Sequence, residues 1–236
     1  YLKTLDRIKQ FDIRKEMETL SGRNKERLKY EGQVIFLPYI PDQDIASDFD
    51  YIQDKSELVW DFSQKVPETL KKQIFQILCY ALRNIKDSKD RRVRYLLPLR
   101  WMYEFCVEEG IDDIERLELE QIKKLETIVA RKVANVKNSM QIVDNSRKIL
   151  FMSGKEIHWH ANVWYMERFN FAPERVNPSN PVQRLSFYEV TNERNRELLQ
   201  EYMKYQVGIG DLALGNIRNQ LCYIKKFLVY FNTLES

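Results

Sequence analysis

Glycine is scarce, with seven residues in a chain of 236. The sequence therefore has little material for glycine-lined phosphate loops or for the tight turns of an all-β meander. Cysteine is scarcer still. Cys79, Cys106 and Cys222 are an odd number, far apart and set in apolar helical sequence, which excludes a disulfide framework and reads as reduced, buried thiols of a cytoplasmic protein. Long hydrophobic runs are missing. The stretches around Val34-Ile35-Phe36-Leu37 and Tyr95-Leu96-Leu97 stop far short of the ~20 residues that a membrane helix needs, and the opening residues lack a signal-peptide pattern. No membrane partner is expected. An excess of one charge is missing too: 38 Lys and Arg face 35 Asp and Glu, for a formal net charge of +3, so attraction to a polyanion has to come from local clustering.

What remains is the composition of a globular protein, 44% hydrophobic and 31% charged, long enough for one large domain or two small ones. The chain opens at Tyr1 without a Met and stops at Ser236 soon after a strongly apolar segment, as expected of a piece of a longer protein.

The periodicities predict an all-α fold with a small extended or β element. Residues 1–60 read as an amphipathic helix from Leu2 to about Leu20, a short strand at Val34–Leu37 and an acidic linker through Asp42, Asp44, Asp48 and Asp50. Residues 61–140 read as a first helical unit. Within it, Leu70, Ile74, Ile77, Leu78, Ala81 and Leu82 form the buried stripe of one helix. A second helix, from Val93 to Cys106, is bent or restarted by Pro98 and ended by Gly110, and a long third helix runs from about Glu118 to Lys137. Residues 141–186, rich in aromatics and Pro, read as an irregular connector with one short hairpin. Residues 187–236 read as a second helical unit. Its first helix spans Asn192 to Val207, with Thr191 as N-cap and Leu198, Leu199, Tyr202 and Met203 inward. Its last helix spans about Gly215 to Phe231, with Ile217, Leu221, Ile224, Phe227, Leu228 and Phe231 inward. The two units look like copies: a spacing of 125 pairs Phe62 with Phe187, Ile74 with Leu199, Leu78 with Met203 and Leu82 with Val207. A spacing of 126 then pairs Tyr95 with Leu221, Trp101 with Phe227, Met102 with Leu228 and Phe105 with Phe231.

Two basic groups stand out. On the last helix, Arg218 and Lys225 share one flank, and Asn219 and Lys226 the next; such donors suit phosphate contacts and readout of base edges. In the first unit Lys89, Arg91, Arg92 and Arg94 crowd a helix start, where the helix dipole favours an anion. Lys and Arg also simply solvate exposed helix faces. His158 and His160 flank Trp159, and on a strand both imidazoles would share a face, but no third metal ligand stands nearby, so no metal or cofactor is assigned. No nucleophile, phosphate loop or paired-carboxylate site is found.

The stretch Asn195-Arg-Glu-Leu-Leu-Gln-Glu-Tyr-Met-Lys-Tyr, then Leu212-Ala-Leu-Gly-Asn-Ile-Arg, then Leu221-Cys-Tyr-Ile-Lys-Lys-Phe-Leu-Val-Tyr-Phe resembles the core-binding domain of tyrosine recombinases, the phage integrase family. Trp60-Asp-Phe-Ser through Arg100-Trp-Met-Tyr-Glu-Phe looks like a similar module. The resemblance implies two SAM-like helical units that clamp duplex DNA, with Asn216, Arg218, Asn219, Lys225 and Lys226 on the groove side of the second unit and Arg91, Arg92 and Arg94 on that of the first. Gly215 and Asn216 depart from the family's usual polar residue and Thr. The family's catalytic signature of Arg, Lys, His-x-x-Arg and a Tyr nucleophile is not found, since neither His158 nor His160 begins His-x-x-Arg. The chain is thus expected to be the DNA-binding, non-catalytic portion of a recombinase or transposase, with duplex DNA and other protomers on it as partners. The alternative is a helical protein–protein or oligomerisation module.

Overall fold

The computed structural model of the chain describes residues 34–40, 42–63 and 65–234; the amphipathic helix expected over Leu2 to Leu20 lies outside them. The fold is mostly helical with two small antiparallel sheets. The described residues fall into two compact units, one drawn from Tyr1–Asp112 and Asn135–Ile142, the other from Asp113–Ala134 and Val143–Ser236. These boundaries differ from those expected at 61, 141 and 187. The third helix and the aromatic stretch both belong to the second unit, because the aromatic side chains build that unit's core. Among the described residues no helix is long and apolar enough to cross a membrane.

In the first unit, strand β1 (Val34–Phe36) pairs antiparallel with β2 (Val59–Asp61), Ile35 lying opposite Trp60. The segment between them, expected as an acidic linker, is folded instead. Helix α1 (Gln43–Ser47) starts at Asp42, whose carboxylate accepts from the Ile45 amide. Ala46, Phe49 and Ile52 turn inward at three-residue spacing while Asp42, Asp44 and Asp50 stay exposed. Helix α2 (Glu68–Asn84) buries the expected stripe from Leu70 to Leu82.

After α2 comes a turn of helix, α3 (Ser88–Asp90), then a π-helical stretch, Arg91–Leu96, then α4 (Leu97–Glu108). Pro98 restarts the helix as expected. The wider turns before it end where the Leu97 amide bonds to the Arg92 carbonyl, and the proline sits in the first turn of α4, the part of a helix that best tolerates a missing N–H. Gly110, at φ 68°, closes α4: the Ile111 amide returns to the Cys106 carbonyl, a Schellman ending that a side chain at this left-handed position would strain.

In the second unit a capping box of Glu118 and Gln121 opens α5 (Leu119–Ala130). The single helix expected to Lys137 is broken after Ala130. Asn135, where the chain belongs again to the first unit, takes the Asn138 amide with its side chain and starts α6 (Val136–Ser153) afresh; from Val143 the helix belongs to the second unit, and the first part of the expected connector is therefore helical. Strand β3 (Val163–Tyr165) pairs antiparallel with β4 (Arg184–Ser186), Trp164 opposite Leu185. The aromatic stretch is core: Trp164 lies 4.6 Å from Phe187 and 5.0 Å from Trp159 between ring centroids. Helix α7 (Glu193–Gly208) is capped by Asn192, one residue after the expected Thr191, its side chain accepting from the Asn195 amide. Arg175 then donates to the carbonyls of Gln206, Val207 and Leu212, satisfying acceptors that the end of α7 leaves open. Helix α8 (Leu214–Leu234) completes the unit.

The offset of 125 extends to the sheets. Val59 and Arg184, the first residues of β2 and β4, are separated by it, and each strand leads into a fully buried phenylalanine, Phe62 or Phe187, ahead of a helix. The likeness weakens toward the chain end. Phe105 is buried, but Phe227 and Phe231 are 62% and 42% exposed, and on α7 Leu198 and Tyr202 also face outward. The inward face of α7 is instead completed by Arg196 and Gln200, which bond the Val190 and Ala161 carbonyls.

Phe187→Ala should cost about 3–5 kcal/mol of stability, as buried aromatics do, whereas Phe227→Ala should stay within about 0.5 kcal/mol. Denaturant unfolding of the two variants, monitored side by side, checks both values.

Candidate nucleic-acid interface

The basic group of the first unit is largely consumed within the fold. Arg91 is buried; its guanidinium donates to Asp48 at 2.5 Å and to the Ile85 carbonyl at 2.8 Å. It ties α1 and the turn after α2 to the π-helical stretch, so a phosphate cannot reach it. Arg92 places two nitrogens on one oxygen of Glu57, at 2.6 and 3.0 Å. Arg94 is exposed and pairs along the helix with Asp90 at 3.3 Å. Only Lys89 and Arg94 therefore face solvent from the expected set. The helix start they share already holds its own anion, since the Asp87 carboxylate accepts from the Asp90 amide at 2.6 Å.

Helix α8 is arranged differently. At about 100° per residue, Leu214, Ile217, Leu221, Ile224 and Leu228 form the arc that meets the core of the second unit. Asn216, Asn219, Tyr223, Lys226 and Tyr230 fall within roughly 80° on the opposite side, and all five are exposed. Arg218 and Lys225 stand at the edge of the buried arc. Lys225 is engaged there, its ammonium 3.0 Å from Glu189, which also accepts from the Ser186 hydroxyl. The two flanks expected from the sequence thus differ in kind: one contains a residue that pins the helix, and the other lies in the open. Over its whole length α8 carries Arg218, Lys225 and Lys226 and no Asp or Glu, whereas α7 carries Glu193, Glu197 and Glu201. The unbroken acid-free stretch between Asp211 and Glu235 is the signal in the sequence that marks this helix, and Tyr223 and Tyr230 are the residues of its open face that periodicity alone passes over.

His158 does not share a site with His160. Its Nδ1 lies 3.1 Å from Glu115 and its Nε2 3.7 Å from Asp113, residues of a turn 43 and 45 positions earlier, and His160 is exposed. The Nδ1 contact is a hydrogen bond and the Nε2 contact an ion-pair distance only; the ligand-capable atoms of Asp113, Glu115 and His158 lie within 4.8 Å of one another, so the companions expected to be missing beside His158 are supplied by the turn before α5. The hydrogen bond to Glu115 lifts His158 above its ordinary range, helped by the charges of Asp113 and Glu115 and opposed by burial. Burial pushes the Glu115 carboxyl up as well, against the pull of His158.

The cysteines divide. Burial pushes the Cys106 thiol up to about 12 and raises Cys79, in keeping with core thiols. Cys222, also expected in the core, is exposed on α8.

No family model, curated protein or solved structure matches the chain.

Two outcomes follow from the titrating groups. Since His158 and Glu115 both have raised folded values, their contribution to stability is complete below the ordinary carboxylate and imidazole ranges, and the histidine part is lost as pH rises from about 6.5 through the lifted value. The thermal midpoint should fall across that window, and His158→Gln should remove the fall. A maleimide added to the native chain should modify Cys222 and spare Cys106 until denaturant is present; mass mapping of the labelled peptides reads this directly.

Proposed function

We propose that this chain is a DNA-holding portion of a site-specific tyrosine recombinase or transposase of the phage integrase kind, with SAM-like helical units and with cleavage and strand exchange performed by residues outside it. The observation that carries the reading is α8: an acid-free helix, fixed on a core, whose open face presents two asparagines and Lys226, with Arg218 at its edge. Neither Arg218 nor Lys226 has an ion-pair partner among the described residues. Cations in that state attract phosphates and position a duplex, and the asparagine amides offer donor and acceptor together to base edges. In the first unit Arg91 and Arg92 serve the fold, and Lys89 and Arg94 are left as peripheral phosphate contacts. Other protomers on the same duplex, in the cytoplasm, complete the arrangement.

The test is fluorescence anisotropy of a labelled duplex titrated with the whole chain over a series of KCl concentrations. Arg218→Ala combined with Lys226→Ala should lower the slope of log K against log[salt] by about one per cation removed. Arg91→Ala should leave that slope unchanged while costing roughly 1–3 kcal/mol of stability, because it breaks a buried hydrogen-bonded pair. Equal slopes for wild type and the double variant, or no duplex binding at micromolar protein, would overturn the reading.

One observation favours a second reading, the helical interaction module. Leu198, Tyr202, Tyr205 and Ile209, spaced at i, i+4, i+7 and i+11 along α7 and its end, are all exposed, an apolar stripe of the kind that packs against another helix. Sedimentation of the wild type and of Tyr205→Glu separates the two: an assembly that the substitution dissolves, with no affinity for DNA in either protein, supports the module.

A further inference from the structure

The turn before α5 and the loop before β3 converge on three side chains, Asp113, Glu115 and His158, whose ligand-capable atoms lie within 4.8 Å of one another. The turn itself sets the first carboxylate: Asp113 Oδ1 accepts the Glu115 amide at 2.9 Å, and Oδ2 stands 3.7 Å from His158 Nε2. His158 meets only part of the negative charge. It bonds Glu115 Oε2, while Glu115 Oε1, in a side chain only 9% exposed, is buried without a hydrogen-bond partner. A buried carboxylate oxygen in that state is costly. The neighbouring cations do not relieve it. Arg116 is drawn to Glu193 at 2.5 Å, and Arg147 gives Nη2 to the Leu117 carbonyl while its Nε bonds nothing.

We infer that Asp113, Glu115 and His158 form a binding site for a divalent cation of the zinc(II) class. The donor set decides the metal: an imidazole favours zinc and the other late first-row ions over magnesium and calcium, and two carboxylates neutralise a double positive charge. With zinc about 2.0–2.2 Å from each nitrogen or oxygen, the ligand atoms of a tetrahedral shell stand about 3.4 Å apart. The three side chains therefore have to close by at most about 1.4 Å, which rotation within their rotamer wells supplies. A metal ion also answers the orphaned oxygen of Glu115, because a carboxylate can bind a cation through one oxygen or both. A third of the His158 side chain is open to solvent, so an ion can enter there and keep a water in the fourth position. Once bound, it fastens the turn before α5 to the loop before β3, both within the second unit. The site goes beyond the DNA reading and does not depend on it.

The experiment is calorimetric titration and equilibrium dialysis of the whole chain, stripped with EDTA and then given ZnCl2 or MgCl2 at a pH above the ordinary imidazole range, where protons compete least for the ring. All proteins carry Cys222→Ser, so that the exposed thiol of α8 does not take the metal. This background should bind one zinc per chain and gain thermal midpoint in excess zinc. It should ignore magnesium, which dehydrates reluctantly and prefers an oxygen shell. His158→Gln and, separately, Asp113→Asn should weaken zinc binding by at least about 100-fold, beyond the loss of roughly 10–100-fold that follows removal of a group merely orienting a ligand. The asparagine oxygen can still accept the Glu115 amide, so the turn is kept. His160→Gln, altered at the exposed neighbour, should bind zinc as the background does. Cobalt(II) in place of zinc should give visible absorption bands that His158→Gln abolishes, and circular dichroism establishes that each variant is folded. No stoichiometric zinc uptake at micromolar metal, uptake unchanged by His158→Gln and Asp113→Asn, or an equal loss with His160→Gln would overturn the inference. None of these outcomes touches the DNA-holding role, which the salt titration tests by itself.

Discussion

The second unit stands on the contact between Trp164 and Phe187. Both side chains are fully buried, and both are held from the backbone side: the Trp164 indole donates to the Trp159 carbonyl, and the Phe187 amide to the Asn162 carbonyl. Trp164 belongs to β3, and Phe187 follows β4 directly, so the contact sets where the chain leaves the sheet and where α7 begins. From α7 the turn at 209–213 leads to α8, whose inward residues join the same core. The orientation of the open face of α8 is a downstream result of two aromatic rings placed by a two-stranded ribbon.

Charged groups inside this unit reinforce the arrangement. Arg196 is buried between the Val190 carbonyl and Glu118, and Arg147 donates to the Leu117 carbonyl beneath the ring of Tyr188. Burying a guanidinium is costly unless its donors are met; the bonds to Glu118 and Leu117 reach 78 and 30 residues along the chain, while Arg147 Nε is buried without a hydrogen-bond partner. The His158 cluster likewise ties in the turn at Asp113 to Glu115. Polar groups thus fasten the turn at 113–118, which also buries Ile114 and Leu117, to residues far along the chain.

Much of the helical framework was legible in the sequence because it depends on local rules. The stripe from Leu70 to Leu82, the restart at Pro98 and the ending at Gly110 each follow from periodicity or backbone chemistry over a few residues. What was not legible depends on partners far along the chain. Nothing near Arg91 or Arg92 announces Asp48 or Glu57, 43 and 35 residues away, so a cluster that looks like a polyanion site is in fact internal bracing. The aromatic stretch has no period because its side chains serve a short ribbon and turns, and irregular spacing is easily taken for a connector. On α8 the arc of charges was visible, but exposure decided its meaning: Leu228 still packs against the core, while Phe227 beside it falls off the buried arc and stays exposed.

The Lys225–Glu189 pair has a bearing on how such a helix tolerates change in its surroundings. The pair joins α8 to the segment after β4, away from the turn that connects α8 to α7. Because that bond lies outside the connecting turn, the azimuth of α8 about its own axis is anchored independently of how many residues the turn contains.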